Sequence, residues 1–173
     1  MSTDNPTNER SDIFGSMKDH MPSHNVMKDD FGFEIPVETV PLPSGGKCYD
    51  ADHPLSGKDT VEIRAMTARE EDILTSKALI KKGTVISHLI RSCVIDKRIN
   101  PDTLLAGDRN ALMVALRVTG YGVDYKVEVD CPACGERSKH NFNLGELPVK
   151  RLEMDPIAIG TNVFEATLPV TKA

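Results

Sequence analysis

Cys131-Pro132-Ala133-Cys134-Gly135 is the stretch whose residue types and spacing best suit chemistry. Two thiolates separated by two residues can grip one tetrahedral ion, and the glycine allows a tight backbone turn around it. A closed zinc site needs four ligands, and this stretch supplies two. His140 is the nearest further donor, so the candidate metal ligands are Cys131, Cys134 and His140, with zinc as the ion. Cys48, His53 and His88 reach such a site only through tertiary folding. Cys93 falls on an apolar helical face and reads as a small core residue. Other readings of the pair stay open: a tight turn with two free thiols, a redox pair, or a metal site completed by another copy or another protein. The redox reading lacks a thioredoxin-like βαβ context.

The elements around the pair set its position. Val123, Tyr125, Val127 and Val129 alternate with polar residues, which predicts a strand. Residues 138–144 return with His140, Phe142 and Leu144 on one side, so the thiols sit at the tip of a β-hairpin. Upstream, residues 61–66 alternate as a short strand. Thr67 and Glu70 have capping-box spacing, and a helix is expected over 68–82, ending at Lys81, Lys82 and Gly83. A second helix spans 85–94, with Val85, Ile86, Leu89, Ile90 and Cys93 on one face. Asn100-Pro101 predicts a capped single turn. Asp108 is expected to cap a third helix over 109–119, apolar nearly all round and therefore buried. Residues 150–154 and 163–168 are candidate strands.

Before residue 61 the chain changes character. Residues 1–30 are polar and acidic, predicting a disordered tail. Within it Ile13, Phe14 and Met17 have the spacing of a short docking helix. Residues 31–60 hold Pro36, Pro41, Pro43 and Ser44-Gly45-Gly46, predicting an extended arm or an edge strand. The divisions are thus a tail at 1–30, an arm at 31–60, a helical core at 61–122, and a hairpin with short strands at 123–173. The expected fold is α+β: about three helices, then a β-hairpin with a zinc-knuckle-like tip and further short strands.

Charge narrows the partners. Net charge is −5, and residues 1–60 carry 11 acidic against 5 basic side chains. A nearly neutral body with an acidic arm suits a nucleic-acid backbone poorly. The competing reading is a zinc-ribbon adaptor on nucleic acid or a transcription complex, using Lys126, Arg137, Lys139, Lys150 and Arg151, which Glu128, Asp130 and Glu136 dilute. No apolar run approaches a membrane span, and the N-terminus has no secretory h-region, so a reducing cytoplasm is expected. P-loop, GxSxG, HExxH and GxGxxG patterns are absent. Glu70-Glu71-Asp72 reads as a solvated first helical turn.

Several stretches in order carry a resemblance. They are Val-Pro-Leu-Pro-Ser-Gly-Gly-Lys at 40–47, Met-Thr-Ala-Arg-Glu-Glu-Asp-Ile-Leu-Thr at 66–75, and Ile-Lys-Lys-Gly-Thr-Val-Ile at 80–86. Leu-Leu-Ala-Gly-Asp-Arg-Asn-Ala-Leu at 104–112, Leu-Arg-Val-Thr-Gly-Tyr-Gly at 116–122 and the thiol hairpin follow. In this order they resemble the baseplate hub assembly proteins of T-even-like tailed phages. The resemblance implies that members of that family continue past the match at Leu168-Pro169. The resemblance implies a non-enzymatic structural or assembly part of a contractile-tail baseplate. It implies other hub, wedge or tail proteins as partners, several copies around the tail axis, and a place in the virion after assembly in the host cytoplasm.

Overall fold

A computed structural model describes residues 25–28, 32–167 and 169 of the chain. Three strands form one antiparallel sheet in the order β1–β2–β3: β1 (Asn25–Lys28), β2 (Glu34–Pro41) and β3 (Thr60–Arg64). Alternation along β3 turns Val61 and Ile63 inward and leaves Thr60 and Glu62 exposed. The proline-rich stretch is therefore not an edge but the central strand. Pro36 is tolerated there for a geometric reason. Its carbonyl accepts from Ala65 N at 3.0 Å, and a residue's N–H and C=O face the same neighbour in an antiparallel ladder. The missing donor thus faces the last rung, just past the end of β3.

Helices α1 (Ala68–Thr75), α2 (Lys77–Lys82), α3 (Val85–Cys93) and α4 (Ala106–Tyr121) follow, with a 3-10 turn at Pro101–Thr103. The single helix expected over 68–82 is two, which raises the count from about three to four. Ser76 is extended (φ −65°, ψ 106°) at the break. Thr75 Oγ1 donates to the carbonyls of Glu71 (3.1 Å) and Asp72 (3.3 Å), competing with continuation of the helix. The Asn100 cap on the 3-10 turn forms as expected, with its side chain accepting from Asp102 N.

The core lies between the sheet and two helices. Val40, Leu42, Val61 and Ile63 meet Leu89, Ile90 and Cys93 of α3 and Leu112 and Leu116 of α4. Fully burying each large aliphatic chain stabilises by about 1.5–3 kcal/mol. The link after α3 also joins the sheet, because Val94 bridges Ile63 and Ile95 N donates to Glu62 O. Helix α4 is not enclosed all round as its composition predicted. Only Asp108, Leu112 and Leu116 are buried along it.

Beyond α4 stands the second sheet, the hairpin of β4 (Asp124–Asp130) and β5 (Arg137–Asn143), followed by a 3-10 turn at Leu144–Glu146. The remainder is irregular, so the strands expected at 150–154 and within the described part of 163–168 do not form. Leu152 N instead donates to Pro43 O at 2.8 Å and Lys47 pairs with Asp155, strapping this segment back on the body. The expected acidic tail lies outside the described residues, apart from Asn25–Lys28, which form β1. Among the described residues the fold is α+β: four short helices and two small sheets.

Candidate functional site

Two buried carboxylates hold the body in shape. Asp108 does not cap α4, which starts at Ala106 after Leu105. It is wholly buried, and its carboxylate accepts from Ser44 N (3.0 Å), Ser44 Oγ (2.6 Å) and Tyr49 OH (2.7 Å). Tyr49 OH accepts in turn from Leu105 N. Burial first, then the Asp108 carboxylate, pushes the Tyr49 hydroxyl well above its ordinary value. Gly46 completes this clamp at φ +71°. A Cβ there would press into the backbone of Leu55 and Lys58, so the loop closes only on glycine.

Glu70 is the second carboxylate, and it is not the solvated acid its neighbours suggested. It has no exposed surface, while Glu71 and Asp72 are exposed. The predicted capping contact forms, since Glu70 Oε2 accepts from Thr67 N at 2.9 Å and from Thr67 Oγ1. Arg64 forks onto both oxygens (3.1 and 2.7 Å) and Ser92 Oγ donates at 2.6 Å. Burial opposes the charged form of Glu70, yet the bonds from Arg64, Ser92 and Thr67 hold its carboxyl well below the usual range.

These clamps join the sequence stretches to one another. The 40–47 stretch meets 104–112 through Ser44 and Asp108, and Glu70 of the 66–75 stretch meets α3 through Ser92. In the 116–122 stretch, a Cβ on Gly120 would collide with Met66, and Arg117 lies over the rings of Tyr121 and Tyr125. Arg117 also donates to the carbonyls of Gly122 and Asp124, fixing the root of the hairpin.

At the other end of the hairpin, Cys131 N donates to Glu136 O (2.9 Å) and Gly135 N to Cys131 O (2.8 Å). This tight turn leaves Cys131 half-buried and Cys134 exposed. Backbone N–H groups of Cys134 and Ala133, then the Cys134 thiol, hold the Cys131 thiol below its ordinary value. His140 is not brought to them. It pairs with Val127, three residues down β5 from Arg137, about 10 Å at roughly 3.4 Å per residue. Its ring contacts Ser138 Oγ at 2.9 Å. Among the described residues no three His, Cys, Asp or Glu side chains converge as a metal-binding group. Cys93 is a core residue as expected, its thiol pushed up to about 11 by burial and by Glu70. His53 stacks on Tyr49 at 4.3 Å and contacts Thr103 at the surface of the body.

Among the described residues two apolar surfaces are open. A groove of about 380 Å³ runs between β2, the outer face of α4 (Ala111, Val114, Ala115, Val118) and the segment at 144–150. Glu38 stands in its wall, with its carboxyl raised by burial. The hairpin offers a second apolar face through Tyr125, Val129 and Phe142, each more than two-fifths exposed. Its charges neutralise one another: Arg137 bonds Asp130 at 2.8 Å and Lys139 pairs with Glu128 at 3.2 Å. Cations engaged in this way are poor partners for a phosphate backbone.

The family described as T4 bacteriophage base plate protein matches residues 36–163, which take in β2, the helices, the hairpin and the strap. The chain belongs to that family. Membership makes it a structural component of a phage tail baseplate, located in the virion, with other baseplate proteins as its neighbours. No curated protein and no solved structure matches it. Among the described residues no helix is long and apolar enough to cross a membrane.

Proposed function

We propose that this baseplate protein is a structural or assembly component of the hub of a contractile tail, working through protein–protein contacts. The observation that supports this reading is how polar and apolar groups divide between interior and surface. The buried carboxylates are closed off by their own donors, whereas the α4 groove and the hairpin face are apolar and open. Locked polar groups suit a rigid part; open apolar faces suit a part that is covered on assembly. Its partners are then other hub, wedge or tail proteins, with several copies in each baseplate.

Quantitative mass spectrometry of purified particles, set beside infected-cell lysate and combined with chemical cross-linking, tests this. A fixed small number per particle, cross-linked to hub proteins, marks a resident hub part. Abundance in lysate alone, with links to hub intermediates, marks an assembly factor that leaves. Links only to proteins outside the hub, or co-fractionation with nucleic acid, overturn the reading.

A further inference from the structure

The thiol pair and the apolar face of the hairpin lie on one element, and the register relates them. Partners in an antiparallel ladder point to the same side, so Tyr125, Val127 and Val129 share a face with Phe142. Cys131 extends the same odd-numbered series. Its N–H bond to Glu136 O carries the ladder one rung past Asp130 and Arg137. A two-stranded hairpin is marginal alone in water, and this one leaves Tyr125, Val129 and Phe142 exposed to solvent.

Coordination number then limits the choices. Zinc in a closed site takes four donors, and thiolates are among its preferred ones. Cys131 and Cys134 sit in one tight turn, closed by Gly135 N donating to Cys131 O at 2.8 Å, with Cys134 exposed and Cys131 half-buried. The described residues add no third donor. A set short by half is completed most simply by its own duplicate.

We propose that Cys131 and Cys134 form half of a tetrahedral four-thiolate zinc site, completed by the same pair from a second copy of the chain. The apolar hairpin faces pack across a twofold axis running along the strands. An axis in that direction turns equal faces toward each other and keeps both tips at one end. Charge does not oppose the pairing. Glu128 and Asp130 project from the opposite face of the hairpin, where Lys139 and Arg137 pair with them, so the apolar faces meet without these charges between them. Each thiol gives up its proton to solvent as its sulfur binds, which makes the dimer weaken in acid. The proposal stands whether or not the protein belongs to the hub.

The test uses the full chain, purified under reducing conditions with zinc, its mass followed by light scattering and its metal by elemental analysis. The expected result is a dimer holding one ion per two chains. A chelator should halve the mass and release the ion while the helical signal persists. Cys134→Ser should yield a zinc-free monomer. Cobalt substituted into the unaltered chain should give the strong sulfur-to-metal absorption of four thiolates, a readout independent of whether the variant folds. A zinc-bearing monomer, a metal-free dimer that ignores the chelator, or a metal-free monomer each overturns the proposal.

Discussion

Residues 34–121 bury two carboxylates completely, each inside a closed set of donors, whereas none of residues 122–167 is buried. The two regions differ little in how well their backbones are bonded, because β4 and β5 pair without interruption from Asp124–Asn143 to Asp130–Arg137. They differ in what their side chains meet. In the body the polar groups turn inward and find partners at 2.6–3.1 Å. On the hairpin the apolar groups turn outward. A buried ionised pair adds little net stability but becomes costly once one partner is removed. An exposed apolar side chain costs little to remove until something covers it. The body should therefore report mutations as lost folding, and the hairpin should report them as lost association.

Arg64→Ala probes this difference most strongly. It strands the Glu70 carboxylate, and the expected cost is about 3–5 kcal/mol in chemical denaturation. A loss below about 1 kcal/mol would mean that Ser92 and Thr67 suffice to hold the charge, and the body would be less tightly locked than described. Acid is the next probe. The Glu70 carboxyl titrates lower in the folded than in the unfolded chain, so its stabilisation is complete above the unfolded value of 4.5. It drains away as pH falls from there toward the folded value. Unfolding midpoints should fall steadily through that window, and Glu70→Gln should flatten the fall. A variant with an unchanged slope would remove Glu70 as its source. The smallest effect belongs to the hairpin. Phe142→Ser should change the stability of the isolated chain by about 0.5 kcal/mol or less, and weaken self-association measured by sedimentation. A large folding loss with no change in association would erase the contrast between the regions.

The parts legible in the sequence were those governed by neighbours in the chain. The Thr67–Glu70 contact, the Asn100 turn, the apolar face of α3 and the hairpin with its thiol tip all follow from local spacing. What was illegible depended on distant partners. Asp108 sits where a cap is expected, and only Ser44 and Tyr49, far away in sequence, make it a buried clamp. Glu70 looked solvated because Glu71 and Asp72 beside it are solvated. Pro36 argued against a central strand, and the place where β3 ends is invisible in a one-dimensional reading. At the candidate site the two thiols were placed correctly at the tip. His140 was chosen for nearness in sequence, but a strand carries three residues about 10 Å, out of reach of the turn.

The bond between Ser44 and Asp108 joins positions 64 residues apart. Contacts of such separation form late, because a long loop must close before they reward the chain. On the ribosome β2, β3 and the first three helices emerge before their closing residue exists. The body can lock only when the first turn of α4 is free of the ribosome. A nascent chain halted short of Asp108 presents Leu42, Ile63 and Ile90 without their cover from α4. Exposed apolar surface of that kind is what chaperones and proteases recognise.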